Sequence, residues 1–174
     1  MVEVKSEIPN PKTAIMLKGL PPVMDSRITT LVLGSFPGAE SLRQQQYYAH
    51  PQNQFWKLLG DVLDEPLKEM AYPERLTVLL KHQLGLWDVF AACERSGSLD
   101  SAIRNPEWND FSMLKHAAPR LKRVCFNGKK SAAQSKALAG YAFTLHTLPS
   151  SSPAHATITY QAKQRAWEKT LNQL

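Results

Sequence analysis

Apolar residues gather in four short runs along the chain, and each run reads as a strand. The first is Thr29 to Leu33, TTLVL; it passes into Gly34-Ser35-Phe36-Pro37-Gly38, where glycine and proline stop a strand and begin a loop at its carboxyl end. The others are Gly85 to Ala91, Leu121 to Phe126 and Tyr141 to Leu148, apolar enough to be buried on both faces. Between the runs the spacing changes to three and four. Phe55, Leu58, Leu59 and Val62 predict a helix over 54–63, and Leu76, Leu79 and Leu80 predict another over 74–81. Further helices are expected from Lys129 to Leu138 and, through Ala162, Ala166 and Leu171, from Tyr160 to Leu174. The polar, proline-broken stretch through Pro21 and Pro22 reads as an extended lead-in over residues 1–25, covering one edge of the core.

Strands alternating with helices predict an α/β fold, a three-layer α/β/α sandwich around a mainly parallel four-stranded sheet. Parallel sheets bind ligands beyond the carboxyl ends of their strands. The loops after Leu33, Phe90 and Leu148 are therefore where chemistry is sought.

At 174 residues and 43% hydrophobic, the chain suits a single domain with one core. The formal charge of +6 favours an anionic partner without identifying it. Cys93 and Cys125 sit in apolar segments without metal-ligand spacing, so reduced, buried thiols and a cytoplasmic setting are expected. No run approaches the roughly 18 apolar residues of a membrane span, and no signal-peptide core opens the chain, so no membrane partner is expected. The five histidines and two cysteines form no ligand set, and no metal or cofactor is expected. Neither G-x-G-x-x-G nor a P-loop is present, which argues against a nucleotide-binding α/β protein.

Two segments concentrate chemistry. The first is Gln46-Tyr47-Tyr48-Ala49-His50-Pro51-Gln52-Asn53-Gln54-Phe55-Trp56, which packs aromatics and an amide ahead of a helix. The second is Pro149-Ser150-Ser151-Ser152-Pro153-Ala154-His155-Ala156, whose hydroxyls and N–H groups suit phosphates. In this order, at the ends of the first and last strands, they resemble the two signature motifs of the uracil-DNA glycosylase superfamily, a likeness that runs from Leu31 to about Trp167. Gly34-Ser35-Phe36-Pro37-Gly38 looks like the first motif, and Leu148 to Ala156 looks like the second, which inserts into DNA. His50-Pro51-x-Asn53-x-Phe55-Trp56 is similar to a stretch of the mismatch-specific branch. The likeness is greatest to the hypoxanthine-DNA (deoxyinosine) glycosylase branch.

The resemblance implies an enzyme that hydrolyses the N-glycosidic bond of hypoxanthine or uracil after flipping the nucleotide out of double-stranded DNA. Where the mismatch-specific branch carries a water-positioning Asn in its first motif, this chain has Phe36, beside Ser35, and phenylalanine cannot orient water. The resemblance moves the essential amide to Asn53, although asparagine also caps helices and one residue can do both. Tyr48 is expected to stack on the base while Tyr47 packs elsewhere, and backbone N–H groups at Ser35 and Phe36 are expected to meet the base carbonyl. Asp88 and Asn127, each ending a strand, are candidates for facing the base or for structural work. Ser150, Ser151 and Ser152 are expected at phosphates, and His155 at a phosphate or in the gap left in the stack. Lys129, Lys130 and Lys163 are expected to add salt-sensitive attraction. Neither motif contains a lysine, so base removal without strand cleavage is expected, by a monomer. Two alternatives stand beside this reading: a uracil or mismatch glycosylase with little action on hypoxanthine, and a damaged-DNA binder without catalysis.

Overall fold

Strands buried on both faces need cover on both sides, and that requirement organises the molecule. The computed structural model describes residues 15–154 and 156–172. In chain order its elements are β1 (Met16–Lys18), β2 (Thr30–Gly34), α1 (Ala39–Gln44), α2 (Phe55–Leu63), α3 (Tyr72–Lys81), β3 (Leu84–Asp88), β4 (Phe90–Glu94), β5 (Arg104–Trp108), α4 (Leu114–Ala117), β6 (Arg123–Asn127), α5 (Lys129–Ala132), β7 (Thr144–Leu148) and α6 (Tyr160–Leu171). A four-stranded sheet runs in the order β3-β2-β6-β7, all neighbours parallel. Side chains leave it alternately. Leu31, Leu33, Trp87, Val124 and Phe126 pack with Phe111, Leu114 and Leu138 on one face. Val32, Leu86 and Cys125 pack with Phe55, Leu58, Leu59, Leu79 and Trp167 of α2, α3 and α6 on the other. The result is the three-layer α/β/α arrangement expected from the alternating pattern.

Several local expectations change. The run from Gly85 to Ala91 is not one strand: β3 ends at Asp88, and β4 pairs antiparallel with β1 and β5 in a separate three-stranded sheet. The apolar run continues because Val89 and Phe90 are buried in their own right, at 1% and 2% exposure. The loop that follows the parallel strand therefore begins at Asp88, not Phe90. Within the lead-in, β1 pairs with β4, and Val23 bridges Leu86 beside the sheet, so its described part, from residue 15 on, is built into the fold.

The helix expected from Lys129 to Leu138 is broken into α5 and a 3-10 turn at Ser135–Leu138. There the Ser131 hydroxyl bonds back to the Gly128 carbonyl, 3.0 Å away, competing with regular helix bonding. The buried stripe of α6 is Lys163, Trp167 and Leu171, at i, i+4 and i+8, in place of Ala162 and Ala166. Among the described residues no helix is long and apolar enough to cross a membrane.

Candidate active site

At the carboxyl ends of the four parallel strands lies a cavity of about 420 Å³, within the roughly 300–1,000 Å³ of small-ligand sites. Its wall brings together Ser35, Phe36, Tyr48, Asn53, Asp88 and Asn127, together with Ser150, Ser151 and Ser152. His155 lies outside the described residues.

The first loop is held by its neighbours from both directions. The Gly34 and Ser35 carbonyls accept from Val89 N–H at 2.8 Å and Phe90 N–H at 3.1 Å, which fixes the loop to the start of β4. On its other side, Ser35 Oγ donates to Asp100 Oδ1 at 2.6 Å. Arg95 donates to Gly97 O at 2.9 Å and to Pro37 O at 2.5 Å, with its guanidinium 5.1 Å over the Phe36 ring. Ser98 Oγ accepts from Ala39 N–H at 2.8 Å. Phe36 itself is only 6% exposed and joins the core.

Gly34 lets two polar side chains meet. A Cβ there would lie 2.5 Å from Asp88 Oδ1 and 3.1 Å from the Tyr48 hydroxyl. Tyr48 adopts a φ of 54°, in the left-handed region that few tyrosines visit, and such strain is a mark of functional loops. Its ring stacks on Phe55 with centroids 3.8 Å apart. Burial pushes its phenol well above the ordinary range, and nearby Asp88 adds to the shift. The Tyr48 hydroxyl and Asp88 Oδ2 are both buried without a hydrogen-bond partner. Tyr47 also borders the cavity, but its hydroxyl is occupied, donating to Pro21 O at 2.8 Å.

Asn53 sits between a helix and the cavity. Its Oδ1 accepts from Phe55 N–H at 2.9 Å, at the first residue of α2. That bond identifies the oxygen end of the amide and occupies one of its two lone pairs, leaving the other free to accept. The helix N-cap is Gln54, so Asn53 braces the turn just ahead of it, and that bond is compatible with a role in the cavity.

The serine segment is clamped from inside. Asn127 Nδ2 donates to Ser151 Oγ at 2.8 Å, and Ser151 N–H donates back to Asn127 Oδ1 at 2.9 Å. Ser151 is 1% exposed and spends both groups on this pair, while Ser150 and Ser152 stay half-buried at the cavity. Gly128, at φ 101°, lets Ser150 approach, since a Cβ there would lie 3.0 Å from Ser150 Cβ. Lys129 and Lys130 are exposed at the rim. Lys163 departs from expectation: it is 2% exposed and donates to Gln54 Oε1 at 3.0 Å, so it is a buried tie between α6 and the start of α2.

Sequence reading missed the segment from Arg95 to Asp100, of which Ser98, Leu99 and Asp100 also border the cavity. The sequence points to a loop after Phe90, but Phe90 begins β4, and the segment follows that strand's end at Glu94; 65 residues separate Asp100 from its partner Ser35. Among the described residues, no group of three or more His, Cys, Asp or Glu side chains could hold a metal ion.

Comparison with known proteins agrees with this geometry. The family model described as "Uracil DNA glycosylase superfamily" matches residues 21–174. A protein of Methanosarcina acetivorans named hypoxanthine DNA glycosylase is 44% identical over 151 residues, covering 87% of this chain and 95% of the relative. One of the same name from Methanosarcina barkeri is 43% identical over 150 residues, covering 86% and 94%. A solution NMR structure from Methanosarcina acetivorans, described as a candidate uracil DNA glycosylase, superposes with a TM-score of 0.82 at 42% identity, covering 90% of this chain and 97% of that one. The match across nearly the whole described fold, with the cavity where the two motifs meet, makes this chain a member of the uracil DNA glycosylase superfamily.

Proposed function

We propose that this protein works as a single-domain cytoplasmic monomer that extrudes hypoxanthine from double-stranded DNA into the cavity and hydrolyses its N-glycosidic bond, leaving the strand uncut. The observation that carries the reading is the meeting of Asn53, Tyr48 and Asp88 in one cavity, in a chain whose curated relatives are named hypoxanthine DNA glycosylase.

A base leaving the sugar creates oxocarbenium character at C1′ and negative charge on the base. In this reading Asn53 Oδ1 uses its free lone pair to hold water beneath C1′. The N–H groups of Ser35 and Phe36 meet the base carbonyl, a position made rigid by the bonds from the Val89 and Phe90 N–H groups and by the Ser35 hydroxyl's bond to Asp100. Tyr48, backed by Phe55, gives the base an aromatic face. Asn127 serves the base indirectly by shaping the serine segment, from which Ser150 and Ser152 reach phosphates. Ser151 is structural. His155, which follows the serines in sequence, meets the DNA.

Incubation with a hypoxanthine-containing duplex is expected to yield free hypoxanthine by mass spectrometry and an unbroken strand with an abasic site that alkali then cleaves. Strand breaks without alkali would contradict simple hydrolysis.

Exposed Lys129 and Lys130, and buried Lys163, give the phosphate contacts a distinctive salt signature. DNA affinity is expected to fall between 50 and 200 mM salt, with a log–log slope of about −0.9 for each phosphate neutralised. Lys129→Ala with Lys130→Ala is expected to make that slope shallower by about one to two, while Lys163→Met leaves it unchanged. Fluorescence anisotropy titrations across that salt range measure both.

A further inference from the structure

We propose that Asp88 is the acid of this site and donates a proton to a ring nitrogen of the departing purine. The proposal rests on the glycosylase reading above and extends it to the leaving group.

Asp88 closes β3 opposite Gly34 of β2, so its backbone is locked by the parallel ladder at the floor of the cavity. The residue is 4% exposed, and its Oδ2 has no hydrogen-bond partner. Among the described residues, no cation forms an ion pair with it. Its surroundings oppose ionisation from several elements. Burial is the main cause, and Asp100, on the turn after β4, adds like charge; Arg95 opposes weakly, and together they lift Asp88 to about 7. Tyr47 and Tyr48, from the segment after α1, face it as neutral phenols. The remaining charged groups on the cavity wall are Glu40, Lys129 and Lys130, with His50 also bordering it. A carboxyl in this position holds a proton near neutrality and keeps one oxygen free to deliver it.

The chemistry then balances. The Asp88 O–H bond breaks as an N–H bond forms at N7 or N3 of the purine. The C1′–N9 bond breaks and its electron pair goes to the base, where the delivered proton cancels the developing negative charge, so hypoxanthine departs neutral. Water adds its oxygen to C1′ and gives up one proton, which returns Asp88 to its acid form through solvent. Hypoxanthine offers ring-nitrogen acceptors. Uracil does not, because its N3 carries hydrogen and its N1 is the departing atom, so the proton helps purines more than pyrimidines.

The test is single-turnover base release with saturating enzyme from pH 5.5 to 9, on hypoxanthine and uracil duplexes. Wild-type hypoxanthine release is expected to be level below about pH 7 and to fall about tenfold per unit well above it. Asp88→Asn is expected to lose on the order of 100-fold at pH 6 and to lack that inflection. Asp100→Asn removes the like charge and is expected to move the inflection to lower pH, which keeps the proposal testable if the Asp88 variant fails to fold. A wild-type profile without the inflection, an Asp88→Asn profile that keeps it, or an unmoved inflection in Asp100→Asn would overturn the acid role. Absence of any hypoxanthine release from wild type at every pH would instead overturn the glycosylase reading itself.

Discussion

Asn53→Ala is expected to slow single-turnover hypoxanthine release on the order of 100- to 1,000-fold, with DNA affinity nearly unchanged. The amide's proposed partner is a water that acquires its importance as the glycosidic bond breaks, so its loss falls on the rate and not on binding. The same side chain accepts from Phe55 N–H at the start of α2, and losing that bond costs about 1 kcal/mol of stability. A shift of a few degrees in Tm is therefore expected alongside the rate loss, without unfolding. Asn53→Ser separates the two roles. A serine hydroxyl can still receive the helix N–H, so stability should recover while the rate does not. Full recovery of rate in the serine variant would reduce Asn53 to a brace of the turn ahead of α2, and near-wild-type turnover in the alanine variant would remove it from the reaction.

Trp167→Ala is expected to cost about 3–5 kcal/mol, the range for deleting a fully buried large aromatic. Trp167 is 0% exposed, its ring meets Phe55 edge-on at 5.7 Å between centroids, and its Nε1–H donates to Pro149 O at 2.9 Å. One residue thus joins α6, the helix behind Tyr48 and the backbone that leads to Ser150. Denaturant titration measures the stability loss, and a loss below about 1 kcal/mol would contradict this packing role. Trp167→Phe retains much of the ring but removes the bond to Pro149, so it is expected to cost less and to weaken DNA affinity through a looser serine segment.

β2 and β6 of the parallel sheet were legible because they are short buried apolar runs that end in loops marked by glycine, proline or asparagine, whereas β7, Thr-Leu-His-Thr-Leu, is largely exposed and was marked chiefly by the proline and serines that follow it. The second sheet was not. Its outer strand, β5, reads Arg-Asn-Pro-Glu-Trp, is exposed at every position and has no alternation to detect. Pairing decides where β3 stops and β4 starts, because Val89 and Phe90 are as apolar as the strand before them. Lys163 misled for a related reason: a lysine normally faces water, and only the tertiary contact with Gln54 and the spacing to Trp167 turn it inward.

In the site, residues carried by the two motifs were legible, but their division of labour was not. Ser150, Ser151 and Ser152 look equivalent in the chain, yet only Ser151 is claimed by Asn127. Asp88 was visible as a polar residue at a strand end. Its solitary buried oxygen depends on Gly34, Tyr48 and Asp100 coming together from distant parts of the chain.

Single-turnover release of base from duplexes carrying hypoxanthine or uracil opposite each normal base, read as alkali-labile breaks, bears most directly on what the cavity is for. Faster loss of hypoxanthine than of uracil is the expected result. Duplex binding without loss of hypoxanthine from any of these substrates would contradict it.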